Sequence, residues 1–431
     1  MSGNRPDHLV LNVNVLDVGS VHAAWRSDDL HPLSFVDIEF FQEIGRIAER
    51  GTLDAFFLAD GPGLREDPRY KPGRSLEPSV ILAAVAAVTE HLGLIGTAST
   101  TFNDPWDLAY RFASLDQVSG GRAAWNVVTT HGETIAGNFG LTGLPDRDAR
   151  YRRAAEFVDV VTALWRSADG TPVAHAGEFF TVNGRLAVPP SPQGHPLLVQ
   201  AGGSPAGREL AGRQANAVFS AELSLPAAIT HYQQVKRIAV DSGRSPADVR
   251  ILPGLITVIG STEEEARRRH AEAVDLAPSD FPLIRLTGSL GIPPDSIDLD
   301  EPLPDWVTAG PPDPAHFTAS LGFRESLVWL ATEERLTARE LMNRLSGGAG
   351  HRTVVGTPEQ VADTIEHWFR AGGADGFNLM PDRLPDGLVD VADQVVPLLR
   401  QRGLFRHDYE AATLRERLNI PLNRPSIGAT S

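Results

Sequence analysis

Short apolar runs alternate along this chain with segments of helical length, and this alternation restricts the fold more than any other feature. The runs are apolar at consecutive positions, which predicts strands that are covered on both faces. The predicted strands are 9–15, 55–59, 94–98, 123–128, 197–201, 217–220, 251–259 and 376–380. Such strands, separated by helices, predict a parallel sheet that helices cover on every side.

Helical periodicity is clearest in two segments. In 35–50 the side chains of Phe40, Ile44 and Ile47 fall on one face, and 387–401 repeats the pattern. An eightfold alternation of strand and helix closes most simply as an α/β fold of the (β/α)8 TIM-barrel type. An open doubly wound sheet is the alternative, because the number of strands alone does not separate the two.

Two segments do not fit the alternation. Residues 167–194 are typical of a hairpin and loop, whereas 275–350 begin rich in proline and acidic residues and become helical around 315–345. In a barrel, insertions of this size usually cover the C-terminal face, where binding sites lie. We therefore expect a single domain over 1–431, with both insertions on that face and a C-terminal tail from about 402.

The composition narrows the choice of partners and cofactors. A formal net charge of −16 disfavours nucleic acid and anionic membranes as partners. No apolar run approaches the length of a membrane span, and the N-terminus lacks the apolar segment of a signal peptide, so we expect a cytoplasmic protein. The absence of cysteine excludes disulfides and thiolate zinc sites, and no grouping of histidines with carboxylates suggests a metal.

Polar residues collect at the C-terminal ends of successive predicted strands. They are Asp60 after the second strand, Thr97 in the third, Asn126, Thr129, Thr130 and His131 in and after the fourth, and GGS at 202–204 after the fifth. Because these strand ends meet on one face of a barrel, we expect the polar side chains to lie together.

A purely structural interpretation exists for several of these residues. Asp60 precedes glycine, as in many turns, and Ser204 precedes Pro205, as a helix N-cap does. His131 alone is more often structural than catalytic. Asn126 is harder to explain in this way, because a buried amide without partners costs roughly 1 to 3 kcal/mol.

Long motifs spread over the chain resemble a known family. They are HAAWR (22–26), LDAFFLAD (53–60), EPSVILAAVAAVTEHLGLIGTASTTF (77–102), RFASLDQVSGGRAAWNVVTTH (111–131), NFG (138–140), RYRRAAEF (150–157), SPQGHPLLVQAGGSPAG (191–207) and GFNLMP (376–381). In this order they resemble the nitrilotriacetate monooxygenase family, a branch of the bacterial-luciferase-like flavin-dependent monooxygenases that also contains sulfone and long-chain alkane monooxygenases. The resemblance extends from about Val10 to about Leu418.

The resemblance implies a luciferase-like barrel that uses reduced FMN (FMNH2) as a co-substrate. A separate NAD(P)H-dependent flavin reductase would supply the FMNH2, as in other two-component systems. Reaction with dioxygen would form a flavin C4a-hydroperoxide, from which one oxygen atom is inserted into a small organic substrate. The resemblance also implies a homo-oligomer, a dimer or a tetramer.

Site residues follow from the resemblance position by position. The flavin contacts fall on Asp60, Thr97, Tyr151 and Ser204, with Asn126 and Gly203 beside them, and a histidine of the active centre falls on His131. A neutral imidazole next to the flavin can accept or return a proton near pH 7, so His131 is the candidate acid or base. His22, in the HAAWR motif, is a weaker catalytic candidate that faces the substrate.

One position departs from the family pattern. Four residues before Tyr151 the family usually has histidine, and this chain has Arg147 in PDRDARY. Arginine can bind a phosphate in bidentate fashion, so Arg147 can replace the histidine at the FMN phosphate. The alternative is an ion pair with Asp146 or Asp148 at the surface.

Two other functions remain compatible with the sequence. A barrel lyase or hydrolase would bind a phosphorylated substrate at Gly203 and Ser204, although such an enzyme would normally have a Schiff-base lysine or a metal cluster. Lys71 and Lys236 are the only lysines, and neither ends a predicted strand. A non-catalytic relative that only binds FMN is the second alternative. The identity of the substrate does not follow from the sequence.

Overall fold

The computed structural model describes residues 8–27, 31, 33–61, 63, 76–130, 133–167, 170–313, 316–317, 319, 321–345 and 350–422. The strands within these residues are β1 (Val10–Val15), β2 (Ala55–Leu58), β3 (Gly93–Ser99), β4 (Ala123–Val128), β5 (Val173–Ala176), β6 (Thr181–Gly184), β7 (Leu197–Gln200), β8 (Ala217–Ser220), β9 (Arg250–Ile259), β10 (Arg352–Gly356) and β11 (Gly376–Pro381). Each of the eight strands predicted from apolar runs is present, with ends that differ by at most one residue.

Helices follow or connect these strands. They are α1 (Ile38–Arg50), α2 (Pro78–Ala86), α3 (Pro105–Val118), α4 (Glu133–Ala136), α5 (Arg147–Arg166), α6 (Pro205–Gln214), α7 (Leu225–Asp241), α8 (Glu263–Asp275), α9 (Phe281–Leu290), α10 (Asp305–Ala309), α11 (Leu321–Glu333), α12 (Ala338–Leu345), α13 (Pro358–Ala371), α14 (Asp386–Asp390), α15 (Val396–Gln401) and α16 (Leu414–Arg417). A π-helical turn, Val391–Val395, joins α14 to α15. Among the described residues, no helix has both the length and the apolar character needed to cross a bilayer.

Eight parallel strands close into a barrel. Going round it, β1 pairs with β2, β2 with β3, β3 with β4, β4 with β7, β7 with β8, β8 with β9, β9 with β11, and β11 with β1. The pairing of β11 with β1 completes the ring, which confirms the (β/α)8 barrel and excludes the open doubly wound sheet.

Alternate residues of the strands fill the barrel interior. One buried cluster takes residues from most of the strands, among them Val10, Ala55, Ile95 and Ala124. The C-terminal tail also contributes: Leu414, Leu418 and Ile420 belong to this cluster. The Leu414 N–H donates to the carbonyl oxygen of Gly121, which precedes β4. The tail therefore closes the N-terminal face, and the C-terminal face is left for the site.

The two insertions differ in how well the sequence predicted them. The hairpin expected in 167–194 is confirmed as the antiparallel pair of β5 and β6. In 275–350 the helices α11 and α12 confirm helical structure around 315–345, and α9 is a further helix in the earlier part, which is rich in proline and acidic residues. Its proline occupies the first turn, where the missing N–H costs nothing, and Gly291 ends the helix with φ 71°.

One strand of the described residues, β10, was not predicted from the sequence. It pairs with β9 from Leu255 onward, beyond the point where β8 stops pairing at Pro253. The strand β10 therefore extends the sheet beyond the C-terminal end of β8 and is not a ninth strand of the barrel. Because only part of this short strand is buried, it lacks the continuous apolar run that marked the others.

Candidate active site

Thr97 and Asn126 form a buried polar pair in the barrel wall. They are register neighbours on β3 and β4, and Nδ2 of Asn126 donates to Oγ1 of Thr97 at 2.8 Å. Oδ1 of Asn126 is buried and has no hydrogen-bond partner among the described residues. An unsatisfied buried carbonyl of this kind is costly in the free protein and is the natural acceptor for a ligand N–H.

Tyr151 and Ser204 meet at the start of α6. Their hydroxyl oxygens are 3.2 Å apart, Tyr151 coming from the first turn of α5 and Ser204 from the loop after β7. Ser204 is the N-cap of α6, and its Oγ accepts the N–H of Gly207 at 3.1 Å. The structural interpretation of Ser204 is thus confirmed, but a cap that also contacts the Tyr151 hydroxyl remains suited to binding an anion at the helix start.

Two glycines shape the loop at 202–204, which we call the glycine loop. A Cβ on Gly202 would collide with Nε2 of Gln200 and lie 3.3 Å from the hydroxyl of Tyr151. Gly203 packs on the backbone of Gly322 at the start of α11, since a Cβ there would be 3.5 Å from the Cα of Gly322. The insertion therefore covers the glycine loop directly.

Arg147 is the first residue of α5, four residues before Tyr151. Its guanidinium carbon lies 5.9 Å from the centre of the Tyr151 ring, and the side chain is half-buried. The carboxylate of Asp146 accepts the N–H of Ala149 at 2.9 Å and caps the helix. Arg147 therefore lies beside the Tyr151 ring at the start of α5.

Arg150 fixes the end of β4 and was not identified from the sequence. Its Nη1 donates to the carbonyl oxygen of Thr130 at 2.7 Å, while the Thr130 hydroxyl donates to Oγ of Ser99 at 2.7 Å. Thr130 has a φ of 41°, which is uncommon for a residue other than glycine. Such conformations concentrate at functional sites. His131, the next residue, lies outside the described residues.

The remaining two candidates, Asp60 and His22, follow β2 and β1 on the C-terminal face of the barrel. Asp60 follows the end of β2 by two residues and is exposed. His22 stacks on Phe281 of α9 with ring centres 4.3 Å apart. Together with Arg285 and Met342 these rings line a small cavity of about 50 Å³ between the loop after β1 and the second insertion. His22 therefore lies where the loop after β1 meets the second insertion.

Two buried polar residues, Asn14 and His351, were not predicted as site candidates from the sequence. Asn14 lies on the same interior face of β1 as Val10. Neither the oxygen nor the nitrogen of its side-chain amide has a hydrogen-bond partner among the described residues. His351 stacks on Phe219 with ring centres 5.0 Å apart, and burial lowers its pKa to about 4, so the imidazole is neutral at pH 7. An asparagine inside an apolar strand, the signal used for Asn126, would have found Asn14. No local pattern marks His351.

A larger cavity lies on the outer side of the glycine loop. It has a volume of about 350 Å³ and is lined by residues from the loops after β7 and β8 and from helices α6, α7 and α11, among them Gly203, Arg208 and Trp329. Its wall contains a buried pair in which Nδ1 of His231 lies 3.0 Å from a carboxylate oxygen of Glu222. Across the described part of the chain, no group of histidine and carboxylate side chains is arranged to hold a metal ion.

Comparison with known proteins identifies the class. The chain belongs to the luciferase-like monooxygenase family, whose model matches residues 17–376. It is a flavin-dependent monooxygenase, and the polar residues at the strand ends lie where such a barrel binds its ligands.

Individual relatives narrow this further and confirm the resemblance seen in the sequence. Nitrilotriacetate monooxygenase component A from Aminobacter aminovorans is 40% identical, over 97% of this chain and 98% of its own. The structure of EDTA monooxygenase from Chelativorans sp. BNC1 is 34% identical with a TM-score of 0.82, covering 96% of this chain and 98% of that one. A riboflavin lyase, determined with modified FMN and riboflavin, is 30% identical with a TM-score of 0.79, covering 95% of both chains.

Proposed function

We propose that this protein is the oxygenase of a two-component system, which uses FMNH2 and dioxygen to insert one oxygen atom into a small organic substrate. The observation that carries the proposal is the pair of hydroxyls of Tyr151 and Ser204, 3.2 Å apart at the start of α6. A helix start presents N–H groups and the positive end of the helix dipole, so this position suits the phosphate dianion of FMN. Arg147 would add a fixed positive charge beside it.

The buried polar pair fits the other end of the same cofactor. Oδ1 of Asn126 is an acceptor without a partner among the described residues, and Thr97 holds the amide so that this oxygen is presented. The ring system of FMN carries an N–H at its polar edge, which Asn126 would bind. Ile95 and Ala124, two residues before Thr97 and Asn126 on the same interior face, are buried and apolar, as the floor of a slot for the ring requires. Asp60 would contact the flavin from the end of β2.

When bound, FMNH2 supplies the electrons that activate dioxygen; the chain orients the ring, excludes water and manages a proton. The second insertion would exclude water, because α11 already packs on the glycine loop. His131 would hold or transfer the proton at the reacting atoms, and His22 would contact the substrate. The name component A, given to the relative from Aminobacter aminovorans, supports a separate reductase that delivers FMNH2 from NAD(P)H. A dimer or tetramer is the expected assembly.

Flavin titration tests the cofactor. We expect FMN to bind more tightly than FAD, because the helix start offers one phosphate site. We also expect FMNH2, the form used as co-substrate, to bind more tightly than oxidised FMN. Tyr151→Phe should weaken FMN by about tenfold, the loss of one charge-assisted hydrogen bond, and should leave riboflavin, which has no phosphate, unchanged. Tyr110→Phe is the control, since Tyr110 is exposed on α3. Equal or tighter binding of FAD would reject the FMN assignment.

Oxygen uptake separates this function from the two alternatives. With FMNH2 and a panel of trial substrates the proposed enzyme consumes dioxygen and forms product, whereas a protein that only binds FMN forms none. A lyase that uses a Schiff base needs an available lysine. Nζ of Lys236 instead donates to Asp375 at 2.9 Å and to the carbonyl oxygen of Pro246 at 2.9 Å, and Lys71 lies outside the described residues.

A further inference from the structure

Arg208 is joined to the glycine loop by two hydrogen bonds. It lies in the first turn of α6, where its backbone N–H donates to the carbonyl oxygen of Ser204 at 2.8 Å. Its guanidinium turns back, and Nη1 donates to the carbonyl oxygen of Gly203. The side chain is half-buried and lines the cavity on the outer side of the loop.

The bond to Gly203 restricts one particular peptide unit. In a trans peptide the C=O and the following N–H point in opposite directions. With the carbonyl oxygen of Gly203 held towards Arg208, the N–H of Ser204 is held facing away from Arg208. Glycine would otherwise give this peptide more conformational freedom than any other residue. The bond therefore fixes the direction of a donor at the start of α6.

We infer that Arg208 is a positioning residue for the flavin phosphate: it holds the peptide between Gly203 and Ser204 so that the serine N–H and hydroxyl both face the phosphate, without binding the phosphate itself. This inference rests on the proposed function, which places the phosphate at Ser204. The packing of Gly203 on Gly322 supports the same loop from the insertion side. The loop is thus held from two sides, by Arg208 of α6 and by Gly322 of α11.

The test separates positioning from direct contact with the phosphate. Arg208→Ala should weaken FMN binding by about tenfold, as expected for one hydrogen bond, and leave riboflavin binding unchanged. Arg208→Lys should recover part of the loss, since an ammonium can also donate to the Gly203 carbonyl. Arg213→Ala is the matched control, because Arg213 is on the same helix and forms an exposed ion pair with Glu209.

A second substitution at Gly203 makes the test decisive. The φ of Gly203 is outside the left-handed region, and a Cβ there would meet only the Cα of Gly322 at an ordinary 3.5 Å, so Gly203→Ala is compatible with the fold. Alanine restricts the peptide that Arg208 restrains. In the Gly203→Ala background, Arg208→Ala should therefore cost less than about threefold in FMN affinity, a coupling read from the double-mutant cycle.

Three results would overturn the inference. They are an unchanged FMN affinity in Arg208→Ala, an equal loss for FMN and riboflavin, and the same loss in both backgrounds, which would indicate direct contact with the phosphate. Thermal unfolding of each variant checks that the fold is retained, and Arg208→Lys carries the test if Arg208→Ala does not fold. Failure of the unsubstituted protein to bind FMN would instead reject the proposed function.

Discussion

The carbonyl oxygen of Thr130 accepts a hydrogen bond of 2.7 Å from Nη1 of Arg150, across the space between the end of β4 and the first turn of α5. Thr130 is held there with a φ of 41°, and its hydroxyl bonds to Ser99 at the end of β3. A strand built for the core thus ends in a turn that neighbouring elements hold in place. The next residue in the sequence is His131.

We expect His131→Ala to leave FMN binding within about tenfold but to reduce product formation by roughly 10² to 10⁴, the usual contribution of a general acid or base. Oxygen should still be consumed and should appear as hydrogen peroxide, which a peroxidase-coupled assay measures. His131→Asn retains a hydrogen-bond donor and removes the titratable group, so it should show the same loss. Normal turnover with normal coupling in His131→Ala would make the histidine structural, and His22 would then be tested in its place.

We expect Asn126→Leu to change the stability of the free protein by less than about 1 kcal/mol while weakening FMN and riboflavin alike. Leucine removes the unsatisfied Oδ1, which favours folding, but it also removes the donor to Thr97, and the two effects oppose each other. Urea unfolding and flavin titration measure the two quantities separately. A large loss of stability with unchanged flavin affinity would mean that Asn126 is only part of the core.

We expect Arg147→Ala to weaken FMN binding by about 1.5 to 3 kcal/mol, the range for a charge-assisted hydrogen bond, and to leave riboflavin unaffected. Calorimetric titration with both flavins gives the comparison. Arg152→Ala is the control, since Arg152 is exposed on the same helix and pairs with Glu178. If both flavins weaken equally, Arg147 does not act on the phosphate.

We expect the free energy of unfolding to fall as the pH decreases from about 6.5 to about 4. Burial lowers the pKa of His351 to about 4, and burial followed by repulsion from Arg415 lowers the pKa of His195 to about 4. The unfolded chain, with a histidine pKa of 6.5, binds more protons in this window, so stability is complete above 6.5 and is lost towards 4. Asp116 has its pKa raised to about 6, mainly by burial, and acts in the opposite direction, which reduces the fall.

His351→Phe isolates one part of this dependence. Phenylalanine keeps a ring against Phe219 and removes the titratable group. Urea unfolding at pH 7 and pH 5 should therefore show a smaller difference for the variant than for the unsubstituted protein. The same difference in both would mean that His351 does not contribute.

The barrel could be predicted from the sequence because its strands are buried on both faces. A strand buried in this way appears in the sequence as a continuous apolar run. The positions of Thr97, Asn126 and Ser204 at or near strand ends could also be predicted, because they are local information. Arg150 and Arg208 were not found, because their role depends on backbone carbonyls that only the folded chain brings within reach. The contact between Gly203 and Gly322 has no local signal in the sequence either, because the two glycines meet only when the insertion folds over the barrel.

The tail that closes the N-terminal face of the barrel is synthesised after all the strands that it covers. Leu414, Leu418 and Ile420 complete an interior whose other members come from strands made much earlier, beginning with Val10. Until the ribosome has released these last residues, the growing chain exposes the apolar interior of its barrel to solvent and to other chains. A chain whose synthesis has not yet reached Ile420 therefore lacks part of the apolar cover on the N-terminal face of its barrel.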